Sequence, residues 1–289
     1  MINKIIIGTA QFGLNYGISN KSGMIEYKDA KSILEYAKIN NITALDTATS
    51  YGNCHKTLGK IGVREMEIYT KISRIPDNCK KIRSWIFNEF EKILNDLNTT
   101  AVKALYFHNS NQLLNANGDE IYQSVIELKK QKMLDQIGFS VYSPSELSKL
   151  FSRYQPDIVQ LPYNILDKRF SDSGWLNTLT KNKIEIHARS IFLQGLLFFS
   201  SKKLPSKFLK YNSLWIEYEN WLKKTNQSAY EGAMSFVFSD QRISRVVIGV
   251  ESVQQLTELL KFKLSSFEVP EFKTKYDESL LNPSNWSRL

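Results

Sequence analysis

Cysteine is scarce. Cys54 and Cys79 are the only two in 289 residues, and they lie too far apart to suggest a disulfide framework or a zinc-binding pair. Cys54 adjoins His55 but has no further ligand nearby, so no metal is expected. Long apolar runs are also missing. The greasiest stretch, Ile191 to Phe199, is interrupted by Gln194 and falls well short of the roughly 20 residues that span a bilayer. The opening Met1-Ile-Asn-Lys4-Ile-Ile-Ile7 stops at Gly8, before the apolar core of a signal peptide could form. A reduced, cytoplasmic chain with no membrane segment is therefore expected.

Acidic charge is in the minority, with 29 Asp and Glu against 38 Lys and Arg for a net +9. The excess is dispersed in pairs such as Lys80-Lys81, Lys129-Lys130, Lys202-Lys203 and Lys223-Lys224. No helix-turn-helix, finger or RNP-like pattern accompanies them, so they read as solvated surface with no nucleic-acid partner. A glycine-rich phosphate turn is absent as well. Gly8-Thr-Ala-Gln-Phe-Gly13 carries two glycines but continues Leu14-Asn15, without the Lys-Ser/Thr of a phosphate-binding loop. That absence argues against a doubly wound nucleotide fold.

What is present is alternation. Short β-branched or aromatic runs near 4–8, 42–46, 67–71, 103–108, 135–139, 157–161, 184–188 and 245–249 read as strands. Amphipathic stretches separate them. Tyr27, Ala30, Leu34 and Ala37 share a helical face, as do Ile82, Ile86, Phe90, Ile93 and Leu97. Ile121, Val125 and Leu128 repeat the spacing, and so do Val253, Leu256 and Leu260. Continuous apolar strands between helices predict a parallel sheet covered on both faces. Eight such units over 42% hydrophobic sequence predict a (β/α)8 TIM barrel, one domain over 1–289. The segment 190–227 is long for a connection; it is read as a lid or strap on the catalytic side, or as an extra surface helix over Leu214–Lys223. The tail 265–289 is expected to wrap irregularly over the barrel.

Four strand ends carry chemistry. Asp46 closes Ile42–Asp46, Tyr51 follows in the next loop, Lys71 closes Glu67–Lys71, and His108 closes Lys103–His108. Singly, these read as a helix-start residue, a packed loop aromatic, a snorkelling lysine and a structural histidine. Together at the mouth of one parallel barrel, they point to proton transfer at a carbonyl oxygen. His187, at the end of the seventh strand, has no matching role and is assigned to the core or rim.

The segment Asp46-Thr-Ala-Thr-Ser-Tyr51-Gly52 resembles the D-T-A-x-x-Y-G signature of the aldo/keto reductases. The likeness continues, in the family's order, through Thr70-Lys71, Tyr106-Phe-His108-Asn109 and Ile137-Gly-Phe-Ser140. It extends to Gln160-Leu-Pro-Tyr-Asn164, Gln194-Gly-Leu-Leu197 and Val247-Ile-Gly249. The wording around Ala188-Arg-Ser-Ile-Phe-Leu-Gln-Gly195 is similar to bacterial members found with polysaccharide synthesis. The resemblance implies reduction of an aldehyde or ketone by NAD(P)H, with Tyr51 donating the proton and Lys71 lowering its pKa from about 10. Asp46 would pair with Lys71, and His108 would hold the carbonyl oxygen.

For the cofactor, the resemblance implies Gly8 and Thr9 at the first strand end and Ser140, Gln160 and Asn164 at the carboxamide. Ser190, Phe192 and Gln194 would line a pyrophosphate strap, with Gly249, Glu251, Ser252 and Gln255 at the adenosine end. Arg189 falls where many relatives place an aromatic against the nicotinamide, and stacking or phosphate binding are both open to it.

Two departures stand out. Cys54-His55 occupies the place of the family's Ser-Glu, and the stretch after the eighth strand, Gly249-Val-Glu251-Ser-Val-Gln-Gln255, lacks the cation that meets the 2′-phosphate of NADP. NADH versus NADPH is thus left open, with NADH expected to be accepted at least as well. Arg189 with Lys202, Lys203, Lys207 and Lys210 would favour an anionic substrate if these gather at the rim, such as a keto sugar or nucleotide-linked sugar; a general small-aldehyde reductase is the runner-up. A monomer or weak homo-oligomer is expected. The alternatives are a catalytically silent cofactor-binding regulator or sensor and, further off, a Schiff-base lyase on Lys71.

Overall fold

Eight strands close into a barrel in sequence order, the last pairing with the first, and every pairing is parallel. The computed structural model describes residues 2–20, 22–264 and 268–288. The strands are β1 (Ile5–Gly8), β2 (Ala44–Asp46), β3 (Glu67–Ile72), β4 (Val102–Phe107), β5 (Leu134–Ser140), β6 (Ile158–Pro162), β7 (Glu185–Arg189) and β8 (Arg245–Gly249). Among the described residues, closure leaves no strand edge unpaired. The second strand begins later than expected because Ile42 serves the preceding helix, its N–H donating to Ala37 O at 2.9 Å.

Helices follow the strands on the outside: α1 (Tyr27–Ile39), α2 (Cys54–Ile61), α3 (Ile82–Leu97), α4 (Gly118–Lys130) and α5 (Pro144–Phe151). Then come α6 (Arg169–Asp172), α7 (Trp175–Lys181), α8 (Asn212–Lys224), α9 (Ala229–Ser239), α10 (Val253–Lys261) and α11 (Glu278–Leu281). The stripe of α3 is buried as the spacing predicts. Two stripes differ from expectation. In α1 the buried face is Ala30, Ile33, Leu34 and Ala37, while Tyr27 opens the helix exposed, with the Lys60 ammonium 4.5 Å from its ring centroid. In α10, Leu256 and Leu259 are buried, with Val253 and Leu260 only packed beside them. Among the described residues, no helix is long and apolar enough to cross a membrane.

Side chains alternate across a strand, and the alternation sorts the chain into two cores. Ile5 and Ile7 face the helices with the large outer core, whereas Ile6 joins Ala44, Tyr69, Ala104, Tyr106 and Ile158 inside the barrel. His187 belongs to this lumen and not to the rim. It is fully buried, with Nδ1 3.0 Å from the Tyr106 hydroxyl. Two residues further along their strands, the same parity turns Asp46, Lys71, His108 and Gln160 toward the C-terminal mouth. That parity, with β2, β3, β4 and β6 in register, positions the site.

After β7 the chain first runs along the mouth and then leaves it. Residues 201–224 pack outside, where Trp215 is fully buried and its indole N–H donates to Phe199 O at 3.1 Å. The expected extra helix is α8. Of the tail, 265–267 and 289 lie outside the described residues. The rest is irregular up to α11 and a 3-10 turn over Pro283–Arg288, with Leu280, Leu281 and Trp286 buried in the outer core.

Candidate active site

Tyr51 sits in the loop between β2 and α2. The turn that carries it depends on Gly52, whose φ of +56° is left-handed and whose absent Cβ would stand 2.4 Å from Gly13 O. The loop is tied to the strand ends by Thr47 N–H to Tyr69 O at 2.9 Å and Thr49 N–H to Lys71 O at 3.1 Å. Beneath the phenol, Lys71 Nζ donates to both oxygens of Asp46, at 2.5 and 2.6 Å, with both side chains nearly inaccessible. Lys71 Nζ also meets Thr47 O, at 3.3 Å. Gln160 Nε2 donates to Asp46 Oδ2 at 2.6 Å.

Satisfied in this way, the pair is neutral overall, and Lys71 Nζ lies 5.4 Å from the Tyr51 ring centroid. The phenol responds accordingly. Burial, then the Asp46 carboxylate, push the Tyr51 pKa well above 10, with Arg189 pulling the other way. The Lys71 ammonium, expected from the sequence to lower it, is neutralised at contact distance by Asp46, and burial is the larger effect. The phenol keeps its proton at neutral pH.

His108 lies edge-on to Tyr51, ring centroids 6.1 Å apart. Burial and the nearby Lys71 charge depress its pKa to about 4, so the ring is neutral. Its Nδ1 is 3.1 Å from Ser50 Oγ; with that hydroxyl donating, Nε2 carries the ring proton and is a hydrogen-bond donor. Ser50 went unnoticed in the sequence, although it stands inside the motif beside Tyr51.

An elongated cavity of about 680 Å³ runs from Asp46, Tyr51 and Gln160 to Glu251, Gln255 and Glu258. Of the residues expected at a cofactor, Gly8, Thr9, Gln160, Arg189, Ser190, Phe192, Gln194, Gly249, Glu251, Ser252 and Gln255 all line it. Ser140 and Asn164 do not. Ser140 is buried against Ser110, and its N–H donates to Ser110 Oγ at 3.1 Å. Asn164 is consumed by its own loop: Nδ2 donates to Ser190 O, and Oδ1 accepts from the N–H groups of Leu166 and Asp167. It holds the strap's first residue instead of reaching the cavity.

The strap itself is strained. Ser190, Leu193 and Gln194 have φ of 57°, 48° and 52°, a conformation costly for side-chain-bearing residues. It is fixed across the cavity by Ile18 N–H to Gln194 O at 3.0 Å and by Gln194 Nε2 to the Tyr16 hydroxyl at 3.0 Å. Tyr16, also unforeseen, lines the same cavity, and burial raises its pKa to about 12.

The lysines, read either as a charged rim or as plain solvated surface, do not reach the rim. None of Lys202, Lys203, Lys207 and Lys210 lines this cavity. Lys202 borders a separate groove with Glu219 and Lys223, and Lys207 and Lys210 lie over the rings of Phe208 and Tyr211.

The groups present fit a nicotinamide dinucleotide. Gln160 Oε1 is a buried acceptor with no partner among the described residues, where a carboxamide N–H can be received. At the other end, the side chain of Ser252 caps α10 by accepting Gln255 N–H, and Gln255 Oε1 accepts Glu251 N–H, so this rim is preformed.

The comparisons agree with the geometry. The profile of the aldo/keto reductase family matches residues 4–277. No curated protein matches the chain. Among solved structures, the aldo-keto reductase AKR11C1 from Bacillus halodurans, in its holo form, superposes with a TM-score of 0.73 at 18% identity, covering 91% of this chain and 88% of that one. The thermostable aldo-keto reductase Tm1743, solved with the inhibitor epalrestat, gives 0.66 at 22% identity, covering 91% of each chain. At such identities these structures speak for the fold, and the family match over nearly the whole chain decides membership: this chain belongs to the aldo/keto reductases, the NAD(P)H-dependent oxidoreductases of small carbonyl compounds.

Proposed function

We propose that the chain reduces an aldehyde or ketone with Tyr51 as the proton donor, accepting NADH at least as well as NADPH. The observation that carries this is the Tyr51 ring above a buried Lys71–Asp46 pair, beside the His108 ring and at one end of a cavity of about 680 Å³. When bound, the reduced cofactor supplies a hydride to the carbonyl carbon. The chain's own residues do the rest. His108 Nε2 donates a hydrogen bond to the carbonyl oxygen and fixes its approach. Tyr51 gives up its proton as negative charge develops on that oxygen, so transfer occurs only as the need arises. The Lys71 ammonium, held by Asp46, faces the resulting phenolate and stabilises it.

The nucleotide preference follows from charge. At the adenosine end, the cavity is lined by Glu251 and Glu258, and Arg189 is its only cation among the described residues. A carboxylate accepts hydrogen bonds from a ribose hydroxyl but repels a 2′-phosphate at short range. The substrate class we assign is a small, polar carbonyl compound such as a keto sugar, because the wall beside Tyr51 offers the ring and hydroxyl of Tyr16 for stacking and hydrogen bonding. The loss of the rim lysines weakens the electrostatic argument for an anionic substrate.

The test is a titration of NADH and NADPH, followed by a carbonyl panel of sugar and aromatic aldehydes, quinones and keto sugars. NADH binding at least as tight as NADPH, with turnover on the panel, is expected. NADPH binding tenfold tighter would remove the charge argument. Tight cofactor binding with no turnover on any carbonyl would favour the sensor reading.

A further inference from the structure

Charge is distributed unevenly along the cleft, and the end near Tyr51 carries a cation with no acid in contact. The Arg189 guanidinium donates to Val141 O at 3.0 Å and to Ser190 Oγ at 3.4 Å, and lies 4.2 Å from the Tyr142 ring centroid. All three partners are neutral. Among the described residues it forms no ion pair, unlike Arg169 with Asp167, Arg242 with Asp240 and Arg245 with Glu67. Glu146, whose carboxylate accepts the Tyr142 N–H at 2.8 Å, feels this charge but stays outside ion-pair distance. The other charges near Tyr51 cancel, since Lys71 is bound by both oxygens of Asp46. The acids of the far rim, Glu251 and Glu258, lie at the opposite end of the cavity.

We infer that Arg189 makes this end of the cleft favour the reduced dinucleotide over the oxidised one. The inference rests on the cofactor reading given above. The two forms share the same pyrophosphate, riboses and adenine, and they differ in the ring. The oxidised nicotinamide is a cation, and the reduced ring is neutral. An uncompensated guanidinium in a partly buried site, where screening is weak, therefore penalises one form and spares the other. An aromatic at this position would stack on both and lack that penalty. Any contact between Arg189 and the pyrophosphate is common to both forms and cancels in the ratio of their affinities. The bias favours loading of the reduced cofactor and release of the oxidised one, while on the protein the same penalty opposes the hydride transfer that creates the cation.

The ratio of dissociation constants for NAD⁺ and NADH, measured by calorimetry on the whole protein, isolates the effect. Wild type is expected to bind NADH at least tenfold tighter. Arg189→Gln should narrow that ratio about tenfold, which is about 1.4 kcal/mol, chiefly by strengthening NAD⁺ binding, while Arg189→Lys retains most of it. A ratio near one in wild type overturns the inference. So does an equal weakening of both forms in Arg189→Gln, which would assign the guanidinium to the pyrophosphate alone. Should the Gln variant fail to fold, Arg189→Met serves as the second neutral variant, and a ratio left unchanged by it counts against the inference. Binding of neither form by wild type would remove the cofactor reading itself, a result distinct from equal binding of both.

Discussion

At the residue scale, the site separates acidity from positioning. Tyr51 is a weak acid made weaker by burial and by Asp46, so its usefulness depends on stabilising the phenolate after transfer. Tyr51→Phe should keep cofactor affinity within about twofold while lowering kcat by roughly 10²–10⁴, the usual contribution of a positioned general acid; retention of most of the wild-type rate would remove the assignment. Lys71 and Asp46 are a coupled case. Lys71→Met leaves the Asp46 carboxylate buried with only Gln160 for a partner, and breaking such a pair costs about 3–5 kcal/mol. Chemical denaturation should show that loss. The double variant Lys71→Met, Asp46→Asn should recover most of the stability while staying inactive, because stability needs the charges balanced and turnover needs the ammonium itself. Full recovery of activity in the double variant would show that the ammonium has no role in turnover.

At the element scale, two-residue alternation decides which side chains face the chemistry. Shifting any of β2, β3, β4 or β6 by one residue would send its polar group to the helical layer. The strap after β7 obeys a different rule, since its residues hold left-handed backbone and close contacts. Gly195 has a φ of +88°, and a Cβ there would stand 2.0 Å from Ser19 Oγ. Gly195→Ala should therefore displace the strap from the loop bearing Tyr16 and Ser19. Cofactor affinity is expected to fall about tenfold or more, with only a small change in melting temperature, because the barrel is untouched. Unchanged cofactor affinity in a folded Gly195→Ala protein would show that this contact does not shape the cleft.

At the scale of the whole molecule, the barrel is closed on itself and then clamped from outside. Trp286 is buried, edge-on to Phe208 at 4.9 Å between ring centroids, and its indole N–H donates to Leu280 O at 2.9 Å. Trp286→Ala should cost about 3–5 kcal/mol of unfolding free energy, read from the denaturant midpoint. Buried imidazoles set the acid limit. Burial lowers both His55 and His108 to a pKa of about 4, whereas an unfolded histidine titrates near about 6.5. Between those values the unfolded chain binds protons that the folded chain refuses, so stability falls as pH drops from about 6.5 to about 4 and is insensitive to these groups above that window. His55→Asn, which removes the imidazole 3.0 Å from Thr70 Oγ1, should flatten the decline in urea midpoint between pH 6.5 and 4.5. An unchanged slope would place the acid sensitivity elsewhere.

Most of the architecture was legible in the sequence because it is periodic: apolar strands and helical stripes recur with spacings that only a parallel, helix-covered sheet satisfies. The strand-end positions of Asp46, Lys71 and His108 were legible for the same reason, and the resemblance added the loop position of Tyr51. What the sequence could not decide depends on partners distant in the chain. Asn164 reads as a cofactor ligand until the fold turns its amide into the clamp of its own loop. The lysines of 202–210 read equally as a charged rim or as solvated surface, and only the path of the segment places them outside the cavity. The pairing of Lys71 with Asp46 was legible, but that burial would push the Tyr51 pKa up was not. Local pattern fixes which face of a strand or helix a residue occupies. Which charges meet, and which, like Arg189 among the described residues, form no ion pair, was settled only by closing the barrel, because electrostatic partners are chosen by distance in space.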